Sequence, residues 1–578
     1  MNSLEAAVKE KIDHWLNGNY DKETKGEIRS MLDHKKYEEL TDAFYKDLEF
    51  GTGGIRGIMG AGPNRVNKYT FGKATQGFSN FLKQTCRDEQ IKVAIAHDCR
   101  NNSETLAQTV ANIFTANGIQ VYLFDGLRPT PELSFAIREL GCHGGVMLTA
   151  SHNPKEYNGF KAYNKYGCQL IAPQDQQVMD EVQGIEDVND VIFKGDDALI
   201  QPIGKKMDEK YLAAITKLSI SRDAIKRQSD LSIVFSPIHG TAGVLVPPAL
   251  KNYGFENVTL VEEQMVYDGD FPTVEYPNPE EKEALSMALE KAKEIDAELV
   301  MATDPDADRV GIAVKNHHDD WTLLNGNQTG VLIINYMLNA WKEAGKLNGD
   351  EYIVKTIVTS YLIDSIANSY SVDCYNTLTG FKYIGELITE LEDQKQFIAG
   401  GEESYGYLIG DHVRDKDAVV SAAIIAEMAA YYKDQGSSLY EVLLDIYNEY
   451  GYFREKLVSV YKKGREGAEE IQQMLKNYRQ NPPTELGGSK VIEVKDYQSR
   501  EAKNVASGET SSIDLPKSNV LQFITEDGTI VSVRPSGTEP KIKFYCSVNT
   551  NLAEVDGFDK ITNQLDQKMN RIIEELTG

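Results

Sequence analysis

The chain has 578 residues, 41% hydrophobic and 26% charged, a composition that excludes fibrous and disordered classes and allows roughly three to five domains. Its 61 Lys and Arg against 88 Asp and Glu leave a net charge of −27, which argues against nucleic acid and anionic membranes as partners. No apolar run reaches the roughly 18 residues of a membrane span. The six cysteines are dispersed without a C-x-x-C pair, so reduced thiols in a cytoplasmic protein are expected.

The first segment, "MNSLEAAVKEKIDHWLN", places Leu4, Val8, Ile12, Trp15 and Leu16 at helical spacing, with charges between them. It predicts an amphipathic helix; a signal peptide would need an unbroken apolar stretch. The glycine-rich "EFGTGGIRGIMG" (49–60) breaks the dinucleotide fingerprint, because Arg56 stands where its last glycine belongs. It reads as a flexible loop whose N–H groups and Arg56 approach an anion, or else as a tight turn.

"IKVAIAHD" (91–98) reads as a buried strand, "SETLAQTVANIFTANG" as a helix ending at Gly118, and "IQVYLFD" (119–125) as the next strand. This is the grammar of a parallel α/β unit. It recurs at "LSIVFSPIHG" (231–240) and "EYIVKTIVTS" (351–360), predicting three related units. The polar stretches 195–209 and 317–330 are read as separators, and the chain from about 453 as a smaller α+β domain with a long final helix.

Between these elements lie the stretches that carry chemistry. "LTASHNPKEYNGFK" (148–161) presents Ser151 outside a G-x-S-x-G elbow, with His152 adjacent and expected to point elsewhere, so a hydrolase triad is not indicated. "ATDPDADRV" places Asp304, Asp306 and Asp308 at alternate positions after an apolar strand. In extended backbone these converge on one hard cation of the Mg²⁺ kind. The EF-hand reading fails, because its sixth and twelfth positions hold Arg309 and Lys315. A dehalogenase-type phosphatase acting through Asp306 and a solvated acidic turn stay open. "GGEESYGYLIGDHVRDKDAV" (400–419) offers carboxylates and a hydroxyl suited to sugar hydroxyls, or a charged surface loop; "VRPSGTEPK" (533–541) is a donor-rich loop suited to an anion, or a polar turn.

"FGTGGIRG", "TASHNP", "DPDADR", "GEESYG" and "RPSGTEPK", in this order along nearly the whole chain, resemble the α-D-phosphohexomutase superfamily of phosphoglucomutases and phosphomannomutases. The resemblance implies an α/β fold of three related mixed α/β domains (1–205, 206–323 and 324–452) followed by a smaller α+β C-terminal domain (453–578). It implies that Ser151 is a phosphoserine that exchanges its phosphoryl group with a sugar phosphate. Glucose 1-phosphate and glucose 6-phosphate would interconvert through glucose 1,6-bisphosphate, which also serves as activator. By the same resemblance Mg²⁺ is held by Asp304, Asp306, Asp308 and a Ser151 phosphate oxygen, and Lys161 is the general acid/base, with its pKa lowered by the neighbouring cations. Arg56 and Arg309 stabilise the moving phosphoryl group. Thr379, Glu402, Ser404 and Lys416 bind the sugar phosphate, while Arg534, Ser536, Gly537 and Thr538 grip the phosphate that stays. The partners implied are small sugar phosphates. A phosphopentomutase or phosphomannomutase is the nearer alternative, an aspartyl-phosphate phosphatase the more distant one, and a non-catalytic sugar-phosphate sensor the last.

Overall fold

The computed structural model describes residues 4–49, 54–87, 89–462, 464–536, 541–552 and 557–577. They form two compact units, the first Met1–Leu324, Phe381–Ala399 and Ser404–Gln435, the second Asn325–Gly380, Gly400–Glu403 and Gly436–Gly578. The stretch 324–452 is thus shared between them.

In the first unit, six strands follow the spatial order Gly54–Ile58, Tyr157–Asn164, Gly144–Leu148, Lys92–His97, Gln120–Phe124 and Ile200–Ile203. The last four are mutually parallel and the first two antiparallel to their neighbours. Val93, Ile95, Val121 and Val146 are fully buried, as expected of strands covered by helices on both faces, each contributing about 1.5–3 kcal/mol. The helix Ser103–Ala116 supplies one cover through Leu106, Val110 and Phe114, while its Ile113 packs with Ile185 and Val191.

Two sequence expectations change here. Arg56 lies on an edge strand, not in a flexible loop, because Gly54–Ile58 pairs with Tyr157–Asn164 and sets Arg56 opposite Gly159. The polar stretch 195–209 contains the edge strand Ile200–Ile203, where Pro202 is tolerated because an edge leaves one side of the ladder open. In the same way 317–330 holds the strand Trp321–Leu324.

The predicted amphipathic helix is Ala6–Asn17; it buries Val8, Ile12 and Trp15, and Trp15 stacks on Tyr20 at 4.2 Å. Two further helices, Lys22–Asp33 and Tyr37–Phe44, share this apolar cluster. A second sheet orders Trp321–Leu324, Val310–Lys315, Leu299–Thr303, Ile233–Ser236 and Val258–Leu260. The last three are parallel, and Leu299–Thr303 leads directly into the acidic motif.

In the second unit Glu351–Thr356 and Asp373–Thr377 pair in parallel, with the helix Leu362–Ser369 between them in sequence. The C-terminal part is an antiparallel sheet ordered Tyr452–Tyr461, Lys541–Thr550, Ile530–Pro535, Leu521–Thr525, Ser489–Asp496, Glu501–Asn504 and Thr510–Ser512. The expected final helix, Phe558–Thr577, buries Leu565, Met569, Ile572 and Leu576. No helix among the described residues is long and apolar enough to cross a membrane.

Candidate active site

Ser151 follows the carboxyl end of the strand Gly144–Leu148, and Asp304 follows that of Leu299–Thr303. Carboxyl ends of parallel strands are where open α/β sheets place their ligands. Ser151 is 2% exposed. Its φ of +53° is left-handed, a conformation that costs a non-glycine residue roughly 1–2 kcal/mol and persists only when the surroundings enforce it. Its N–H donates to Thr149 Oγ1 at 2.8 Å, and its Oγ donates to Asp304 Oδ2 at 2.9 Å.

His152 does not point elsewhere as expected, because its Nδ1 lies 3.2 Å from Ser151 Oγ. The left-handed turn at Ser151 brings the two side chains together. Burial and the charges of Arg309 and Arg56 hold His152 well below the ordinary histidine range, so the ring is neutral and is no charged partner for the serine.

The three aspartates converge, although not through extended backbone. Residues 304–308 form a turn in which Ala307 N–H donates to Asp304 O at 3.0 Å and Ala307 adopts φ +54°. Asp304 Oδ1 accepts the N–H groups of Asp308 at 3.1 Å and Arg309 at 3.0 Å, which closes the turn. Carboxylate oxygens of all three lie within 4.8 Å of one another, each residue buried. Asp306 Oδ1 and Asp308 Oδ1 are buried without a hydrogen-bond partner. A set of hard oxygen donors with two buried oxygens still unsatisfied fits a divalent cation of the Mg²⁺ kind.

Cations from two other segments, joined by Arg309 of the motif itself, balance this charge. Lys161 Nζ donates to Asp306 Oδ2 at 2.6 Å and Asp308 Oδ2 at 3.1 Å, and Lys416 Nζ lies 3.3 Å from Asp308 Oδ2. Arg309 Nε is 3.7 Å from Asp308 Oδ1, with its Nη1 donating to Glu280 Oε1 at 3.0 Å. Burial and the charges of Asp308 and Asp306 push Asp304 well up, whereas at Asp308 burial is outweighed by Lys161, Lys416 and Arg309, which hold it low. The expected lowering of Lys161 is not found. Burial pulls it down, but Asp306 and Asp308 together raise it above the ordinary lysine value.

Lys416 reaches the aspartates because its loop is fastened on both sides. Asp415 Oδ2 accepts from Tyr163 OH at 2.8 Å and Gln169 Nε2 at 2.9 Å, while Asp417 accepts from Tyr211 OH at 2.7 Å and His412 Nε2 at 2.8 Å. Asp417 also caps the helix Ala418–Asp434. Gly406 makes room for the lysine stem, since a Cβ there would fall 2.1 Å from Lys416 Cδ. The exposed Arg56 donates to Asn153 Oδ1 at 3.0 Å, within the serine loop.

The first unit therefore assembles Ser151, Asp304, Asp306, Asp308, Lys161, Arg309 and Lys416, with Arg56 beside the loop; Ser404 is half-buried in the same unit. Thr379, Glu402, Arg534 and Ser536 belong to the second unit. There Glu402 Oε1 accepts from Gly380 N–H at 2.9 Å, and Ser536 N–H donates to Lys541 O at 2.8 Å. Gly537 and Thr538 lie outside the described residues.

Two residues at the site escape sequence reasoning. Thr130 donates both its N–H to Asp306 O and its Oγ1 to Asp306 Oδ2, each at 2.9 Å. Arg100, 3% exposed, donates to the carbonyls of Ser151, Asn153, Pro154 and Tyr157. Their only sequence signal is position, just after the ends of the strands Gln120–Phe124 and Lys92–His97.

Family models match along this chain at residues 47–189, 209–317 and 325–450, described as phosphoglucomutase/phosphomannomutase alpha/beta/alpha domains I, II and III, and at 486–560, the C-terminal domain of the same family. Curated relatives include a phosphoglucomutase of Staphylococcus haemolyticus, 35% identical over 93% of this chain and 96% of its own length. One of Staphylococcus aureus is 38% identical over 94% and 96%. Among solved structures, Paramecium parafusin, a phosphoglucomutase in an open form, aligns with TM-score 0.65 and 18% identity over 91% of this chain and 96% of its own. A phosphoglucomutase/phosphomannomutase family protein of Burkholderia thailandensis aligns with TM-score 0.64 and 18% identity over 91% and 97%; at such identities these likenesses show the fold alone.

The four matched domains together define an α/β phosphosugar mutase class. The chain belongs to the phosphoglucomutase/phosphomannomutase family, and is an enzyme of the phosphotransferring isomerase type with three α/β/α domains and a C-terminal domain.

Proposed function

We propose that this chain interconverts glucose 1-phosphate and glucose 6-phosphate through a phosphoserine at Ser151 and a glucose 1,6-bisphosphate intermediate. The observation that carries the reading is the buried Ser151 hydroxyl bonded to Asp304 within a cluster of three aspartates balanced by Lys161, Lys416 and Arg309. The relatives named phosphoglucomutase favour glucose over a pentose or mannose ring.

With Ser151 phosphorylated, the bond from phosphorus to Ser151 Oγ breaks and a new one forms to the sugar hydroxyl oxygen. The hydroxyl proton passes to Lys161 Nζ. After the bisphosphate turns over, its other phosphoryl group returns to Ser151 Oγ and Lys161 gives the proton back to the departing sugar oxygen. Asp304, Asp306, Asp308 and a phosphate oxygen on Ser151 would hold Mg²⁺, which supplies neutralisation of the phosphoryl charge. Lys161 enters the cycle as the neutral amine, having released its own proton to solvent once Asp306 and Asp308 are neutralised, since their charge is what raises it. Arg56 and Arg309 steady the moving group. Thr379, Glu402, Ser404 and Lys416 bind the sugar phosphate, and Arg534, Ser536, Gly537 and Thr538 bind the phosphate that stays.

The test is turnover of glucose 1-phosphate with Mg²⁺ and a trace of glucose 1,6-bisphosphate, in wild type and Ser151→Ala. Fast wild type with a variant slower by roughly 1,000-fold or more supports the carrier role. Turnover of ribose or mannose phosphates alone would transfer the reading to another sugar. A folded, Mg²⁺-supplied wild type inactive on all of them would remove it.

A further inference from the structure

We propose that Arg100 is the positioning residue of the phosphoacceptor loop, gathering four of its carbonyls on one guanidinium and thereby fixing the Ser151 hydroxyl at Asp304. The inference rests on the reading of Ser151 as phosphoryl carrier and adds a residue that does not touch the reacting atoms.

The stretch 149–157 leaves a strand, turns through the left-handed Ser151, passes Pro154 and re-enters the sheet. Such a path leaves carbonyls without ladder partners, and buried carbonyls pointing toward one centre repel unless a donor stands among them. Arg100 Nη2 donates to Ser151 O at 2.6 Å and to Asn153 O, and Nη1 to Pro154 O at 2.7 Å and Tyr157 O at 3.0 Å. Its four terminal N–H groups thus serve four carbonyls, while Nε faces Asp98 Oδ2 at 3.2 Å. A lysine has three donors on a single point and cannot span this set. Because a trans peptide holds C=O and N–H antiparallel, drawing Ser151 O onto Arg100 also turns the His152 N–H away from it, so the guanidinium sets the peptide plane beside the nucleophile.

The guanidinium is itself held from outside the loop. Phe271 lies under it at 5.1 Å and is carried by the 265–281 excursion that precedes the metal-motif strand. That excursion is seated by a close approach, since a Cβ on Gly269 would fall 2.4 Å from Asn101 N, and by Asn101 Nδ2 donating to Asp270 Oδ1 at 3.1 Å. The Ser151 loop and the segment leading toward Asp304 are therefore referenced to the same side chain. Phosphoryl transfer depends on alignment, and a displacement of about 1 Å at the acceptor costs on the order of 100-fold in rate.

Arg100→Lys in the full chain tests this, with kcat and KM for glucose 1-phosphate expressed per folded molecule, and phosphate on Ser151 followed by mass spectrometry after glucose 1,6-bisphosphate is added. The expected result is kcat lower by about 100-fold, KM within about threefold of wild type, and phosphorylation of Ser151 slowed in parallel. A purely structural arginine would lower the folded fraction and leave kcat per folded molecule unchanged, which overturns the proposal. If Arg100→Lys does not fold, Phe271→Leu, which removes only the ring face, is expected to lower kcat about tenfold with KM kept; wild-type kcat there overturns the proposal equally. Wild type that neither turns over sugar phosphate nor labels Ser151 would instead refute the mutase reading.

Discussion

The carboxyl of Glu403 in the second unit makes the stability of the fold depend on pH. Its Oε2 accepts from Thr356 Oγ1 at 3.3 Å and Thr359 Oγ1 at 3.2 Å. Burial and the negative charge of Glu402 raise its pKa from 4.5 to about 7, against the smaller opposing pull of Thr359 and Lys543. The folded state therefore keeps a proton that the unfolded chain has lost. The stabilisation is fully present below pH 4.5 and is lost as pH rises through about 7. At about 1.4 kcal/mol per tenfold change in proton affinity, the full shift corresponds to roughly 3 kcal/mol, and partial solvent contact reduces this to about 1–3 kcal/mol. Glu403→Gln keeps the shape and removes the titration. Denaturant unfolding of both proteins at pH 5 and pH 8 should show the variant gaining about 1–3 kcal/mol on wild type between the two values. An equal difference at both pH values would refute the reasoning.

Tyr163→Phe removes a fully buried donor to Asp415 and should cost about 1.5–3 kcal/mol in denaturant unfolding. Trp15→Ala, which vacates the stack on Tyr20 and the cluster around Ile28 and Phe44, should cost about 3–5 kcal/mol and lower the denaturation midpoint without changing kcat per folded molecule. Removing divalent cations with a chelator should reduce turnover to the Ser151→Ala background, reversibly with Mg²⁺. The circular dichroism spectrum should stay unchanged, because Lys161, Lys416 and Arg309 still balance the aspartates.

Where an element follows from local periodicity, the sequence carries it plainly. The run 91–98 and the helix after it are legible because apolar side chains recur at the period of the structure they form. The same holds for Val8, Ile12 and Trp15. The strand Gly54–Ile58 is hidden, since two of its five residues are glycine and its existence depends on a partner about 100 residues away. The aspartate cluster is legible as a composition, but its geometry is not. Asp304, Asp306 and Asp308 meet through a turn at Ala307 that alternation does not predict. His152 is misjudged for the same reason, a left-handed Ser151 rotating its neighbour inward. Arg100 and Thr130 carry no signature beyond their place after strand ends, because their partners are backbone carbonyls and a carboxylate brought near only by the fold.

The carrier role of Ser151 is tested most directly by incubating the Mg²⁺-supplied protein with ³²P-labelled glucose 1,6-bisphosphate and locating the label by peptide mass spectrometry. The account predicts an acid-stable phosphate on Ser151, absent from Ser151→Ala and discharged onto added glucose 1-phosphate. A hydroxylamine-labile phosphate on Asp306, or a protein that turns over glucose 1-phosphate without ever becoming labelled, would contradict it.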